Sequence, residues 1–156
     1  MGTYTKDEDH KDRRHGFIWS NGTFTTFSVP GDGPGFGTRA FGINDFGEVV
    51  GDYGTGQVPF HGFLRSSTGD FTTFDVPGVV QTTGEGINNA GTIVGFYIEV
   101  QGPPHGFVLK NGVFMTVDVP NSSNTAINSI NANGQIVGSY DDSNGTHGFH
   151  AEIQHP

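Results

Sequence analysis

The stretch Gly86-Ile87-Asn88-Asn89-Ala90-Gly91-Thr92-Ile93-Val94-Gly95-Phe96-Tyr97 decides the fold. It recurs as Gly42-Ile43-Asn44-Asp45-Phe46-Gly47-Glu48-Val49-Val50-Gly51-Asp52-Tyr53. It recurs again as Ser129-Ile130-Asn131-Ala132-Asn133-Gly134-Gln135-Ile136-Val137-Gly138-Ser139-Tyr140. Each copy holds two short β-favouring runs around a turn rich in Asn, Asp and Gly, residues that tolerate the positive φ of tight hairpins. Each copy therefore reads as a hairpin, and the chain as an array of them.

A second motif keeps step with the first. His-Gly-Phe begins at His15, His61, His105 and His147, a period of about 44 residues. A turn follows, at Asn21-Gly22, Thr68-Gly69 and Asn111-Gly112, then a run ending in Val-Pro: Phe24 to Pro30, Phe71 to Pro77 and Phe114 to Pro120. Proline ends each run because it cannot donate to a sheet ladder. The chain starts inside one repeat, with Gly2-Thr3-Tyr4 matching Gly138-Ser139-Tyr140, and finishes inside another at His147-Gly148-Phe149. Residues 5–14 are densely charged and patternless, and read as a mobile loop.

Composition agrees. Hydrophobic residues make up only 33% of the 156, while glycine alone supplies 26, which suits short strands and tight turns. No window sustains a 3.6-residue apolar period, so almost no helix is expected. The expected fold is all-β: a single repeat domain over 1–156 of four-stranded antiparallel repeats, the size of β-propeller blades. The run carrying Thr38, Ala40 and Gly42, or Thr82, Gly84 and Gly86, is rich in small residues and is placed innermost; the Phe-Thr-Thr-Phe run is placed outermost. Three repeats are too few for a ring of four to eight blades, so a homodimer of six blades is expected. A three-fold β-trefoil or β-prism is the alternative.

The formal charge of −9 with seven basic residues argues against nucleic acid, which needs a basic face. No run approaches the roughly 18 apolar residues of a membrane span. The N-terminus has no apolar signal-peptide core, and a soluble protein is expected. There is no cysteine, hence no thiol nucleophile or disulfide. Gly-x-Ser-x-Gly, His-Glu-x-x-His and the His-x-His-x-Asp-His zinc cluster are missing. Residues 31–37, glycine-rich, fail both nucleotide-loop spacings and read as a loop. Any chemistry must use groups that the array brings together.

Three sets of groups are candidates. The repeated histidines sit on a third, outer strand and are read as structural, each ring bonding nearby backbone. Asn44, Asn88 and Asn131 end the innermost strand, followed at once by Asp45 and Asn89. Oxygen donors gathered there would suit calcium, which takes six to eight; equally, Asn is a turn residue and needs no metal. Asp141 and Asp142, in Asp141-Asp142-Ser143-Asn144-Gly145, form a second calcium candidate or an exposed turn.

His61-Gly62-Phe63, Phe71 to Pro77, Gly86-Ile87-Asn88 and Ile93 to Tyr97, with their copies, resemble the HAF-type extracellular repeats of bacterial proteins, named for a His-(Ala/Gly)-Phe tripeptide. The resemblance covers nearly all of the chain outside residues 5–14. It implies a propeller-like fold and an extracellular setting. It also implies hydrolysis of small lactones such as N-acylhomoserine lactones (quorum quenching), an activity found in a metagenome-derived protein built of such repeats. By analogy with calcium-dependent propeller lactonases, calcium near the asparagines would act as Lewis acid, and Glu85 or Asp45 as general base. Phe41 and Phe46 would hold an acyl chain. The alternative is a non-catalytic module that binds carbohydrate or a cell surface, with Trp19, Phe17, Phe63 and Phe107 as aromatic platforms, or an inactive piece of a larger surface protein.

Overall fold

The computed structural model describes residues 1–5 and 13–153. Among them are fourteen strands and no helix, so no helix is long and apolar enough to cross a membrane. The strands are β1 (Gly2–Thr5), β2 (Arg14–Ser20), β3 (Thr23–Phe27), β4 (Gly37–Ile43), β5 (Val49–Gly54), β6 (His61–Arg65) and β7 (Phe71–Phe74). They continue as β8 (Gln81–Ile87), β9 (Ile93–Ile98), β10 (Pro104–Lys110), β11 (Val113–Thr116), β12 (Asn124–Ile130), β13 (Gln135–Asp142) and β14 (Gly145–Glu152). The all-β expectation holds.

Hydrogen bonding follows the repeat. The second unit runs β4-β5-β6-β7 and the third β8-β9-β10-β11. The fourth comprises β12-β13-β14 among the described residues. The first shows β1-β2-β3 among the described residues and joins the second through one parallel pair, Arg14 with Gly37. The charged loop expected over 5–14 is therefore narrower: Thr5 closes β1 and Arg14 opens β2, while Arg13 pairs with the buried Asp32. The remainder of that stretch, 6–12, lies outside the described residues.

Turn chemistry sets these registers. Asn21 and Gly22, and again Asn111 and Gly112, all adopt positive φ, the combination a two-residue hairpin turn needs. Each unit is tied to its neighbour by a repeated threonine. The hydroxyls of Thr38, Thr82 and Thr125, all fully buried, accept the N–H of Val29, Val76 and Val119 at 2.9, 3.1 and 3.0 Å. Those are the residues before Pro30, Pro77 and Pro120, so the chain leaving one unit is pinned to the leading strand of the next.

The core lies between units. Val50, Leu64 and Phe74 of the second pack on Ile87, Ile93, Tyr97 and Phe107 of the third. Val94 and Val108 of the third pack on Ile127, Ile130 and Ile136 of the fourth. Leading strands meet almost backbone to backbone: a Cβ on Gly42 would lie 2.9 Å from Gly86 Cα, and one on Gly86 would lie 3.2 Å from Ser129 Cα. Small residues there are a steric requirement.

Candidate active site on the leading strands

Each leading strand carries a bulge at the same place. The register of β4 against β5 skips between Ala40 and Gly42, that of β8 against β9 between Gly84 and Gly86, and that of β12 against β13 between Ile127 and Ser129. The extra residues are Phe41, Glu85 and Asn128. A bulge re-aims its side chain away from the ladder. Strands packed this tightly have little other room for a side chain to project.

Beside Glu85 lies a charged cluster that spans the second and third units. Arg39 and Asp52 are cross-strand partners in β4 and β5. The Arg39 guanidinium donates from Nε to Asp52 Oδ1 at 2.8 Å, and from Nη2 to Oδ2. Asp52 is fully buried and also accepts from Thr83 Oγ1 at 2.9 Å, across the junction to β8. Gln81 Nε2 donates in turn to Thr83 Oγ1 at 2.9 Å. The guanidinium carbon sits 4.4 Å from the Phe36 ring centroid and 5.2 Å from that of Phe41, within cation–π range.

Burial shapes the acid–base behaviour. Desolvation raises the Asp52 pKa, and the Arg39 hydrogen bond and charge oppose it. Glu85 is pushed up to about 7, first by burial and then by the neighbouring Asp52 charge, while Arg39 pulls it down. A carboxylate with this pKa takes and gives protons near neutrality. Glu85 was reached by analogy with calcium-dependent propeller lactonases. Arg39 and Asp52 were missed: Arg39 lies outside the predicted Gly42–Tyr53 hairpin and comes opposite Asp52 only past the bulge, at positions where the other units carry Thr83 with Phe96, and Ala126 with Ser139.

Asp45, the other expected base, is placed elsewhere. It lies in an exposed turn and pairs reciprocally with Asn89: Asp45 N donates to Asn89 Oδ1 at 3.0 Å, and Asn89 Nδ2 to Asp45 Oδ2 at 2.7 Å.

The three asparagines are fully engaged. Asn44 Oδ1 accepts the N–H of Phe46 and Glu48, Asn88 Oδ1 that of Ala90 and Thr92, and Asn131 Oδ1 that of Asn133 and Gln135. An amide oxygen has two lone pairs, and both are used. Two of the Nδ2 groups link the units, Asn44 donating to Asn88 O at 3.3 Å and Asn88 to Asn131 O at 3.2 Å, while Asn131 donates to Gln135 Oε1 in its own unit at 2.7 Å. These residues do not fit calcium, because their oxygens have no lone pair left for it. Asp141 and Asp142 lie toward the other end of the sheet, since Asp141 faces Asn124 and Ile136 faces Ile130. At about 3.3 Å per residue, roughly 20 Å separates them from Asn131. Asp141 accepts from Asn124, and Asp142 Oδ1 from Asn144 N at 2.7 Å and His147 Nε2 at 3.0 Å. Hydrogen bonds from the Thr146 and Asn124 side chains lower the Asp141 pKa, and those from the Asn144 N–H and the His147 ring lower that of Asp142. Among the described residues no group of three or more His, Cys, Asp or Glu is placed to hold a metal.

The expected backbone partners of the histidines are replaced by side chains among the described residues. His15 Nδ1 meets Ser28 Oγ at 2.7 Å, His61 Nδ1 meets Asp75 at 2.7 Å and His105 Nδ1 meets Asp118 at 2.8 Å. Each ring also lies against the tyrosine opposite it: Tyr4, Tyr53, Tyr97 and Tyr140, at 5.1 to 5.4 Å between centroids. Of the proposed aromatic platforms, Phe63 and Phe107 are fully buried core residues, while Trp19 is exposed.

Comparison with protein-family models, with curated proteins and with solved structures gives no match.

Proposed function

We propose that the chain is built of HAF-type repeats in a propeller-like ring completed by a second copy, and that it hydrolyses small lactones, N-acylhomoserine lactones among them. One observation carries the chemistry: Glu85, aimed by a bulge, is poised at about 7 beside the Arg39–Asp52 pair. Ionised Glu85 accepts a proton from water, and the resulting hydroxide adds to the lactone carbonyl carbon. Arg39 offers positive charge to the developing oxyanion. Collapse breaks the ring C–O bond, and Glu85 returns its proton to the leaving alkoxide, giving the open hydroxy acid.

The surroundings suit an acylated substrate. Phe41 and Ile43 are large apolar residues left exposed on the strand whose Gly42 packs against the Glu85 backbone, and Phe46 is exposed in the turn that carries Asp45. The copies of Ile43 in the next two units, Ile87 and Ile130, are buried. No step is routed through the expected calcium, because the asparagines assigned to it have no free oxygen. The test is turnover of an acylated homoserine lactone by wild type and by Glu85→Gln, with added calcium and again after chelation. Loss of turnover in the variant under both conditions supports Glu85 as base; unchanged turnover removes it.

A second reading, a carbohydrate-binding module, is favoured by a polar cleft of about 280 Å³ lined by His105, Asp118, Asn121, Ser122, Ser123 and Asn124. A glycan array without hits counts against it.

A further inference from the structure

We propose that two copies close the ring head to tail, the open face of the first unit, at Phe17, Trp19 and Phe24, meeting the open face of the fourth, at Val137. This rests on the ring reading above and specifies its junction.

Internal junctions show what these faces are for. Every unit turns one face to its predecessor and the other to its successor. The predecessor-facing residues of the second unit are Val49, Phe63 and Phe71, covered by Ile18 and Phe27 of the first. Those of the third are Ile93, Phe107 and Phe114, covered by Val50, Leu64 and Phe74 of the second. In the first unit the same positions are Phe17 and Phe24, and no described unit precedes it. The pair is already arranged as its copies are. Phe17 and Phe24 meet edge-on at 5.5 Å, Phe63 and Phe71 at 6.0 Å, and Phe107 and Phe114 at 5.3 Å. Yet Phe24 is 63% exposed and Trp19, its cross-strand partner, 56%, whereas Phe63 and Phe107 are at 0%.

The complementary half is open at the other end. Val50 and Val94 face the next unit and are completely buried, whereas their copy Val137 is 45% exposed. Among the described residues no outer strand pairs with β14. Two different half-junctions on one chain make a heterologous contact, and such contacts close into a ring when the rotation allows. Counting the partial ends, each copy supplies four units. Two copies give eight where three repeats per chain would have given six, and eight lies at the upper end of the usual propeller range of four to eight blades.

The experiment measures the mass of the full chain by light scattering and sedimentation equilibrium, from low micromolar concentration upward. Phe24→Lys and Val137→Lys each place a charge on one half-junction. Both positions are exposed, so an unchanged melting curve of the monomer confirms folding. The wild type is expected to be a dimer, and each variant to weaken it by about 100-fold or more. Mixing the two variants restores one intact junction per pair and recovers association. A monomeric wild type overturns both ring and junction. A dimer indifferent to both substitutions overturns the junction and leaves the ring. A dimer broken by Phe24→Lys but not by Val137→Lys means that first units meet face to face, which overturns the head-to-tail arrangement.

Discussion

Replacing Asn88 by Ala separates a turn role from a metal role. Asn88 is buried; its Oδ1 accepts Ala90 N and Thr92 N, each at 3.0 Å, and its Nδ2 donates to Asn131 O at 3.2 Å. Three hydrogen bonds with little water to replace them are worth about 1 kcal/mol each, so Asn88→Ala is expected to destabilise by about 3 kcal/mol. For a chain of this size that lowers Tm by about 6–12 °C. Asn131 makes the same turn but is exposed, and water can take over, so Asn131→Ala is expected to cost about 1 kcal/mol or less. The assay is thermal unfolding of both variants and wild type, with calcium and after chelation. A turn role predicts unequal losses, graded by burial and indifferent to calcium. If calcium raises the wild-type Tm and that rise disappears equally in both variants, the lone-pair argument is wrong and the asparagines hold the ion.

Other consequences follow from the charged cluster and the strand contacts. Under the hydrolase proposal kcat/KM rises with pH through about 7, where Glu85 ionises, and Glu85→Gln lowers it by a factor of about 100 or more; a flat profile in the wild type refutes the base. Asp52→Asn removes a charge that pushes the Glu85 pKa upward, so the midpoint of that profile moves to lower pH. Stability moves the opposite way to activity. Glu85 has a folded pKa raised from 4.5 to about 7, so its favourable contribution is complete below the unfolded value and is lost as pH rises through the folded one. Glu85→Gln is therefore expected to stabilise at about pH 8, by about 1 kcal/mol once solvent screening of a partly exposed group is allowed for, with no gain near pH 4; equal melting shifts at both pH values count against the burial. Gly42→Ala, whose Cβ would lie 2.9 Å from both Glu85 O and Gly86 Cα, is expected to destabilise by about 2 kcal/mol or more; a neutral result in thermal unfolding means that the leading strands are looser than described.

Much of the frame was legible because its causes are local. Asn21-Gly22 and Asn111-Gly112 fix their hairpins by backbone preference alone, and the Val-Pro endings mark where pairing must stop. The crowding of the small-residue strands was legible from Gly42 and Gly86, whose missing side chains a close neighbour explains. The charged cluster was harder to read. The Glu85 pKa depends on Asp52 in another unit, which no local pattern reveals. Arg39 faces Asp52 only in a register displaced by the bulge at Phe41. The asparagines were ambiguous in principle: amide oxygens can bind cations or cap a turn. The choice is made by whether the N–H groups two and four residues ahead point back at the side chain, and here they do.

Repetition itself then says where chemistry can reside. A residue that recurs in every unit is held by neighbouring partners each time. The threonines fasten units together, the asparagines close the turns and the histidines lie on tyrosines with their Nδ1 or Nε2 bonded. Groups consumed in this way have little left to offer a ligand. The bulge is the exception: its geometry recurs, but its residue changes from Phe41 to Glu85 to Asn128. The frame needs a projecting side chain there without specifying which. One apolar, one acidic and one amide group on adjacent strands can therefore differ without loss of fold, and this is the place where the array can acquire a substrate.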